Sequence, residues 1–201
     1  RDKNEEKEIW DGFRHGPESA RTLFHFDAAH SIDEIDQILP QLIENKDTIY
    51  TPLGADAAWD GQMMRWLNQT RSRVREGIAA PDGLIDVRGI LDEMRLIKDS
   101  SELDTMRRAA TISAEAHVLA MSATKPGKYE YEIEAELLYH FKKNGSQFPA
   151  YTSIVAGGGN ACVLHYIENN AALNEGDLLL IDAGCELNGY ASDITRTFPV
   201  N

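Results

Sequence analysis

Residues 176–196 read GDLLLIDAGCELNGYASDITR and hold the strongest local signals in the chain. Leu178 to Ile181 is an uninterrupted apolar run, the pattern of a buried strand. Asn188 and Gly189 are the pair that a two-residue type I′ hairpin loop demands, because both central positions take positive φ. If these two form the loop, Leu187 pairs with Tyr190. Counting back along both strands sets Asp182 opposite Thr195, with Asp193 as its diagonal neighbour on the same face. Diagonal positions lie about 7–8 Å apart at the backbone, and their side chains reach closer. Two carboxylates converging from there can share metal ions about 3.5–4 Å apart.

The physical reason to expect a cation is the cost of leaving it out. Asp182 follows four apolar residues, so its surroundings are poor in water, and two adjacent carboxylates repel each other. A divalent ion removes both penalties. A metal-free reading competes with this one: Asp182 caps the hairpin and Asp193 pairs with Arg196.

Working outward, the chain divides by texture. Gly16 and Pro17 open a short helix, with proline suited to the first turn. Ser31 and Glu34 form a capping box ahead of Ile35, Ile38, Leu39, Leu42 and Ile43, and Pro40 bends or shortens that helix. Thr48–Thr51 reads as a strand, and Asp56–Glu76 as a helix stopped by Gly77. This order suggests the C-terminal part of a small α/β unit. Residues 78–83 (IAAPDG) are the linker candidate, so the expected domains are 1–83 and 84–201. Asp99 and Glu102 make a second capping pattern, with Leu103, Met106, Ala110, Ala114, His117 and Met121 at helical spacing behind it. Tyr129–Asn144 is the next helix, closed by Gly145. Four strands are then predicted at Tyr151–Val155, Ala161–Ile167, Leu178–Ala183 and Tyr190–Phe198. Helices followed by strands give an α+β class.

Composition fits a soluble globular chain: 201 residues, 42% hydrophobic and 26% charged. The formal charge of −13 argues against nucleic acid as a partner. No apolar run approaches the roughly 20 residues of a membrane helix, and no signal peptide is visible. The cytoplasm is therefore the expected location. The first residue is Arg1 rather than Met, so a missing N-terminus is expected. Cys162 and Cys185 are too few for a disulfide framework and read as buried, reduced thiols.

LLLIDAGCE at 178–186 and GYASDITRTFP at 189–199 resemble the two aspartate motifs of the pita-bread metallopeptidases, most closely the Xaa-Pro aminopeptidase (aminopeptidase P) branch. EMRLIKDSSELDTMRRAATISAEAH at 93–117, PAYTSIVAGGGNACVLHY at 149–166 and RTFPVN at 196–201 support the same likeness. IWDGFRHGPESA at 9–20 is similar to the N-terminal, creatinase-like domain of those enzymes. The resemblance implies the end of that domain followed by the first half of a pita-bread catalytic domain. It implies two divalent metal ions, manganese first, with zinc or cobalt as alternatives. Asp182 would bind one ion in bidentate fashion and Asp193 would bridge both. The other ligands of the family, a His and two Glu, lie further along the chain than Asn201, so residues 1–201 alone are expected to be inactive.

The reaction implied is release of the first residue from peptides with proline second. His165, in VLHY, matches a histidine that contacts substrate or the tetrahedral intermediate, against a competing reading as a core histidine. Tyr151, in PAYTSIV, matches a tyrosine of the metal cavity, against simple strand packing. Trp10 would reach a neighbouring subunit's active-site mouth in a dimer or tetramer, against a packed edge tryptophan. Two alternatives stand beside the main reading: an Xaa-Pro dipeptidase, and a non-catalytic pita-bread binding module. Retention of both aspartates disfavours the module and also metal-free, creatinase-like hydrolysis. Half of a pita-bread sheet exposes strand edges, so this piece is expected to associate or aggregate on its own. Gly157–Gly159 lacks a following Lys-Ser/Thr pair and reads as a turn rather than a phosphate loop. His117, on an apolar helix face, reads as a core histidine.

Overall fold

The computed structural model describes residues 3–201, which form two compact units, residues up to Leu96 and Ile97–Asn201. Among the described residues no helix is long and apolar enough to cross a membrane.

The first unit begins with α1 (Glu5–Asp11), whose first turn is held by the Asn4 side chain accepting from the Lys7 N–H at 2.9 Å. Helix α2 (Gly16–Leu23) carries Pro17 in its first turn. The Ser31/Glu34 capping box forms as read, around one 3-10 turn that leads into α3 (Ile35–Leu42). Pro40 sits inside α3 without breaking it, and the helix ends two residues later. Strand β1 (Thr48–Thr51) is followed by α4 (Ala57–Ser72), capped by Asp56. Trp66 and Leu67 of α4 are buried, and the Trp66 indole N–H donates to Asp36 of α3 at 2.8 Å. Beyond Gly77, whose φ of 82° closes the last turn, lie two elements that the sequence reading passed over: β2 (Gly83–Asp86) and α5 (Arg88–Leu96). β2 pairs in parallel with β1, Ile49 opposite Leu84, so α4 is the crossover of a β–α–β unit. The unit therefore runs on to Leu96 instead of ending at residue 83. The 78–83 stretch is the approach to a strand of the same small sheet.

In the second unit, α6 (Ser100–Ala123) starts from the expected Asp99/Glu102 box: Asp99 accepts from the Glu102 N–H at 2.9 Å and Glu102 from the Asp99 N–H at 2.7 Å. Helix α7 (Glu130–Lys143) follows, and six strands come next: β3 (Phe148–Pro149), β4 (Ile154–Gly157), β5 (Leu178–Ala183), β6 (Cys185–Leu187), β7 (Tyr190–Ala191) and β8 (Ile194–Pro199). They make two antiparallel sheets, ordered β4-β5-β8 and β3-β6-β7.

Alternation along β5 decides which face does what. Leu179, Ile181 and Ala183 are fully buried against Ala109, Ile112 and Ala116 of α6 and Ile133, Leu137 and Phe141 of α7. Each such Leu or Ile contributes roughly 1.5–3 kcal/mol on burial, so the helices cover that face. Leu180 and Asp182 consequently point to the opposite face, where Ile154, Ala156 and Tyr166 form a smaller cluster.

Asn188 and Gly189 take φ of 50° and 87°, and Leu187 pairs with Tyr190, the predicted hairpin. Asp182 lies opposite Thr195 as counted. The hairpin is not continuous, however. It changes sheet at Gly184 and Ser192, so the predicted strand Tyr190–Phe198 is split into β7 and β8. Gly184 is required there, since a Cβ would meet the Ser192 carbonyl oxygen at 1.8 Å.

Two other expectations are corrected. Ala161–Ile167 is not a strand: Gly158–Cys162 is a 3-10 turn, and the segment continues as an exposed loop around the buried Tyr166. Its polar anchors are the reason, as described below. Cys162 is exposed on that turn, while Cys185 is buried as read.

Candidate metal and substrate site

Asp182 stands on β5 between Ile154 of β4 and Thr195 of β8 in the strand register. Asp193 follows the sheet change, one residue before β8 begins. Tyr151, in the loop before β4, bridges them. Its hydroxyl lies 2.5 Å from one Asp182 carboxylate oxygen and 3.0 Å from one of Asp193. A phenol has a single proton, whereas each ionised carboxylate only accepts. One donor thus serves two anions, and the remaining lone pairs face a cleft. Burial, followed by hydrogen bonding to Asp182 and then Asp193, pushes the Tyr151 hydroxyl well above the ordinary tyrosine range, so it stays protonated.

The cleft has a volume of about 380 Å³ and is lined by Tyr151, Thr152, Ile154, His165, Ile167, Asp182 and Asp193. That size is within the range of small-ligand pockets. All four residues singled out from the sequence line it together. His165 is exposed on the loop after the 3-10 turn and is not a core histidine. Thr152, Ile154 and Ile167 were missed. Ile154 and Ile167 look like ordinary strand residues in the sequence, and only the loop path of 158–171 brings Ile167 back to Ile154.

The donor set fits a hard divalent cation, since it consists of carboxylate oxygens sharing one phenolic proton. It is also incomplete: among the described residues no group of three or more His, Cys, Asp and Glu side chains gathers in metal-binding geometry. The cleft presents two carboxylates, Asp182 and Asp193.

Helix α6 supports the hairpin from behind. The Ser113 and Ser192 hydroxyls are 2.7 Å apart, and both accept from the Cys185 N–H, at 2.9 and 3.0 Å. His117 is buried, as the sequence indicated. Its Nε2 lies 3.1 Å from the Ala183 carbonyl, and its Nδ1 makes no hydrogen bond of normal geometry among the described residues. Donation to that carbonyl requires a proton on Nε2, which both the Nε2–H tautomer and the imidazolium carry. Burial holds the His117 pKa below its ordinary value, with the bond to Ala183 opposing.

Comparison with known proteins places these residues in context. Residues 104–201 match the family model of metallopeptidase family M24, and residues 1–50 match that of the aminopeptidase P N-terminal domain. The chain is 44% identical to the Xaa-Pro aminopeptidase of Escherichia coli K12, an alignment covering 96% of this chain and 44% of the relative. Aminopeptidase PepP of Pseudomonas aeruginosa superposes with a TM-score of 0.95 at 50% identity, covering all of this chain and 46% of that one. Proline aminopeptidase P II of Yersinia pestis gives 0.93 at 47% identity, with the same coverage. The chain thus spans less than half the length of these relatives.

Proposed function

We propose, from the premise that this chain belongs to the aminopeptidase P branch of metallopeptidase family M24, that the whole protein removes the N-terminal residue from peptides with proline second. The observation that carries this reading is the pair of carboxylates, Asp182 and Asp193, joined through Tyr151 in a cleft edged by His165.

Asp182 and Asp193 would hold divalent ions through their carboxylate oxygens. Such ions, when bound, supply Lewis acidity and a water that ionises near neutral pH. Every other part of the work proposed here belongs to side chains. Tyr151 keeps its proton and fixes the two carboxylates relative to each other. His165, across the cleft, would donate to the substrate carbonyl as negative charge develops on its oxygen. Ile154 and Ile167 give the proline ring an apolar wall and exclude water from it. The chain contributes two ligands, so cleavage is proposed for the whole protein and not for residues 1–201 alone.

Manganese as the metal, a dimer or tetramer with Trp10 reaching a neighbouring subunit, and a cytoplasmic location belong to the same proposal. Trp10 is 84% exposed on α1, which is compatible with such a contact. Names of the relatives favour the aminopeptidase over the dipeptidase. The test is substrate choice by the whole protein. Cleavage of an Xaa-Pro-Xaa tripeptide, with no action on the Xaa-Pro dipeptide or on Xaa-Ala-Xaa, supports the reading. Preference for the dipeptide contradicts it.

A further inference from the structure

Glu130, the first residue of α7, is fully buried. Burying a carboxylate costs several kcal/mol unless its lone pairs are filled, and here all of them are. One oxygen accepts from the Gly157 N–H at 2.8 Å and the Asn160 amide at 3.0 Å; the other accepts from the Tyr166 hydroxyl at 2.7 Å and the Ala171 N–H at 2.9 Å. All four donors lie at the start, middle or end of one segment, the irregular connection from β4 towards β5. Among the described residues no cationic side chain pairs with Glu130. Its partners are neutral dipoles drawn in around a fixed anion at a helix N-terminus, where the backbone also favours negative charge. A Cβ at Gly157 would lie 2.8 Å from a Leu173 side-chain methyl, so Leu173 would have to shift to admit one.

That segment carries His165. Tyr166 turns inward to Glu130 and is buried, while its neighbour His165 turns outward and lines the cleft with Asp182 and Asp193. We propose that Glu130 is a positioning residue, acting through Tyr166 to hold His165 at the cleft. The proposal rests on the reading of His165 as a group that contacts substrate.

The test is a double-mutant cycle on the whole protein, using Xaa-Pro-Xaa cleavage and amide hydrogen exchange. Glu130→Gln would replace one oxygen by an NH2 group that faces the two donors this oxygen accepted from, and Tyr166→Phe removes one donor to Glu130 together with an acceptor for Asn160. Each is expected to lower kcat/KM, by about tenfold or more for Glu130→Gln, and by less than about twofold when His165 is already Ala, because coupled sites are non-additive. Exchange at the Gly157 and Ala171 amides should quicken in Glu130→Gln. If that variant does not fold, Tyr166→Phe carries the same cycle. Undiminished losses in the His165→Ala background would overturn the proposal. An impaired His165→Ala beside unimpaired Glu130→Gln and Tyr166→Phe would sink this inference alone. An unimpaired His165→Ala would remove the substrate-contact reading, and this proposal with it.

Discussion

Gly184 lies against Ser192 so closely that a Cβ at residue 184 would sit 1.8 Å from the Ser192 carbonyl oxygen. The contact is where the hairpin leaves one sheet for the other, between the strand bearing Asp182 and the short link between β7 and β8 that bears Asp193. Backbone cannot yield there without separating the two carboxylates.

Gly184→Ala is therefore expected to destabilise the whole protein by about 4 kcal/mol or more, the range reserved for severe steric faults. Gly189→Ala provides the comparison. Gly189 has φ of +87° and open space around it, so only left-handed strain of about 1–2 kcal/mol applies. Denaturant midpoints of both variants decide the point, and equal losses would refute the close-approach argument.

Tyr151→Phe removes the proton shared by Asp182 and Asp193 while keeping the ring. Hydrogen bonds to charged groups are worth about 1.5–3 kcal/mol, so kcat/KM should fall about tenfold to hundredfold with metal content retained. Loss of metal as complete as in an aspartate variant would mean that the phenol itself is a ligand.

His117 gives stability a pH dependence of known sign. Its folded pKa is depressed by burial, whereas the unfolded chain takes up the proton near the ordinary value of about 6.5. Below that pH the unfolded state binds more protons, so the contribution of His117 is present above pH 6.5 and is lost as pH falls towards the folded pKa. His117→Gln should flatten the fall in stability between about pH 6.5 and 5, measured by denaturation across that range. An unchanged slope would show that His117 is not the titrating group.

The hairpin was legible because its signals are local. Asn188-Gly189 dictates the turn, the turn dictates the register, and the register brings Asp182 and Asp193 together. Both capping boxes were legible for the same reason. Ala161–Ile167 was not, because its β-like pattern competes with a buried carboxylate thirty residues earlier in the chain, whose partners Asn160 and Tyr166 pull the segment into a loop. β2 was missed because a four-residue strand gains its identity only from pairing with β1, and that pairing depends on the α4 crossover. Tyr151 and His165 were found through resemblance. Nothing in their spacing from Asp182 indicates that a shared cleft joins them.

The most direct test of the central claim is metal content of the whole protein, measured on purified wild type, Asp182→Asn and Asp193→Asn. Asn keeps the shape of each side chain and removes the charge that draws the cation. Binding of about two divalent ions per chain in the wild type, as a two-metal site implies, with loss of metal and of Xaa-Pro cleavage in both variants, is the predicted result. Wild-type metal content and cleavage in either variant would contradict the assignment of these two aspartates as the ligands.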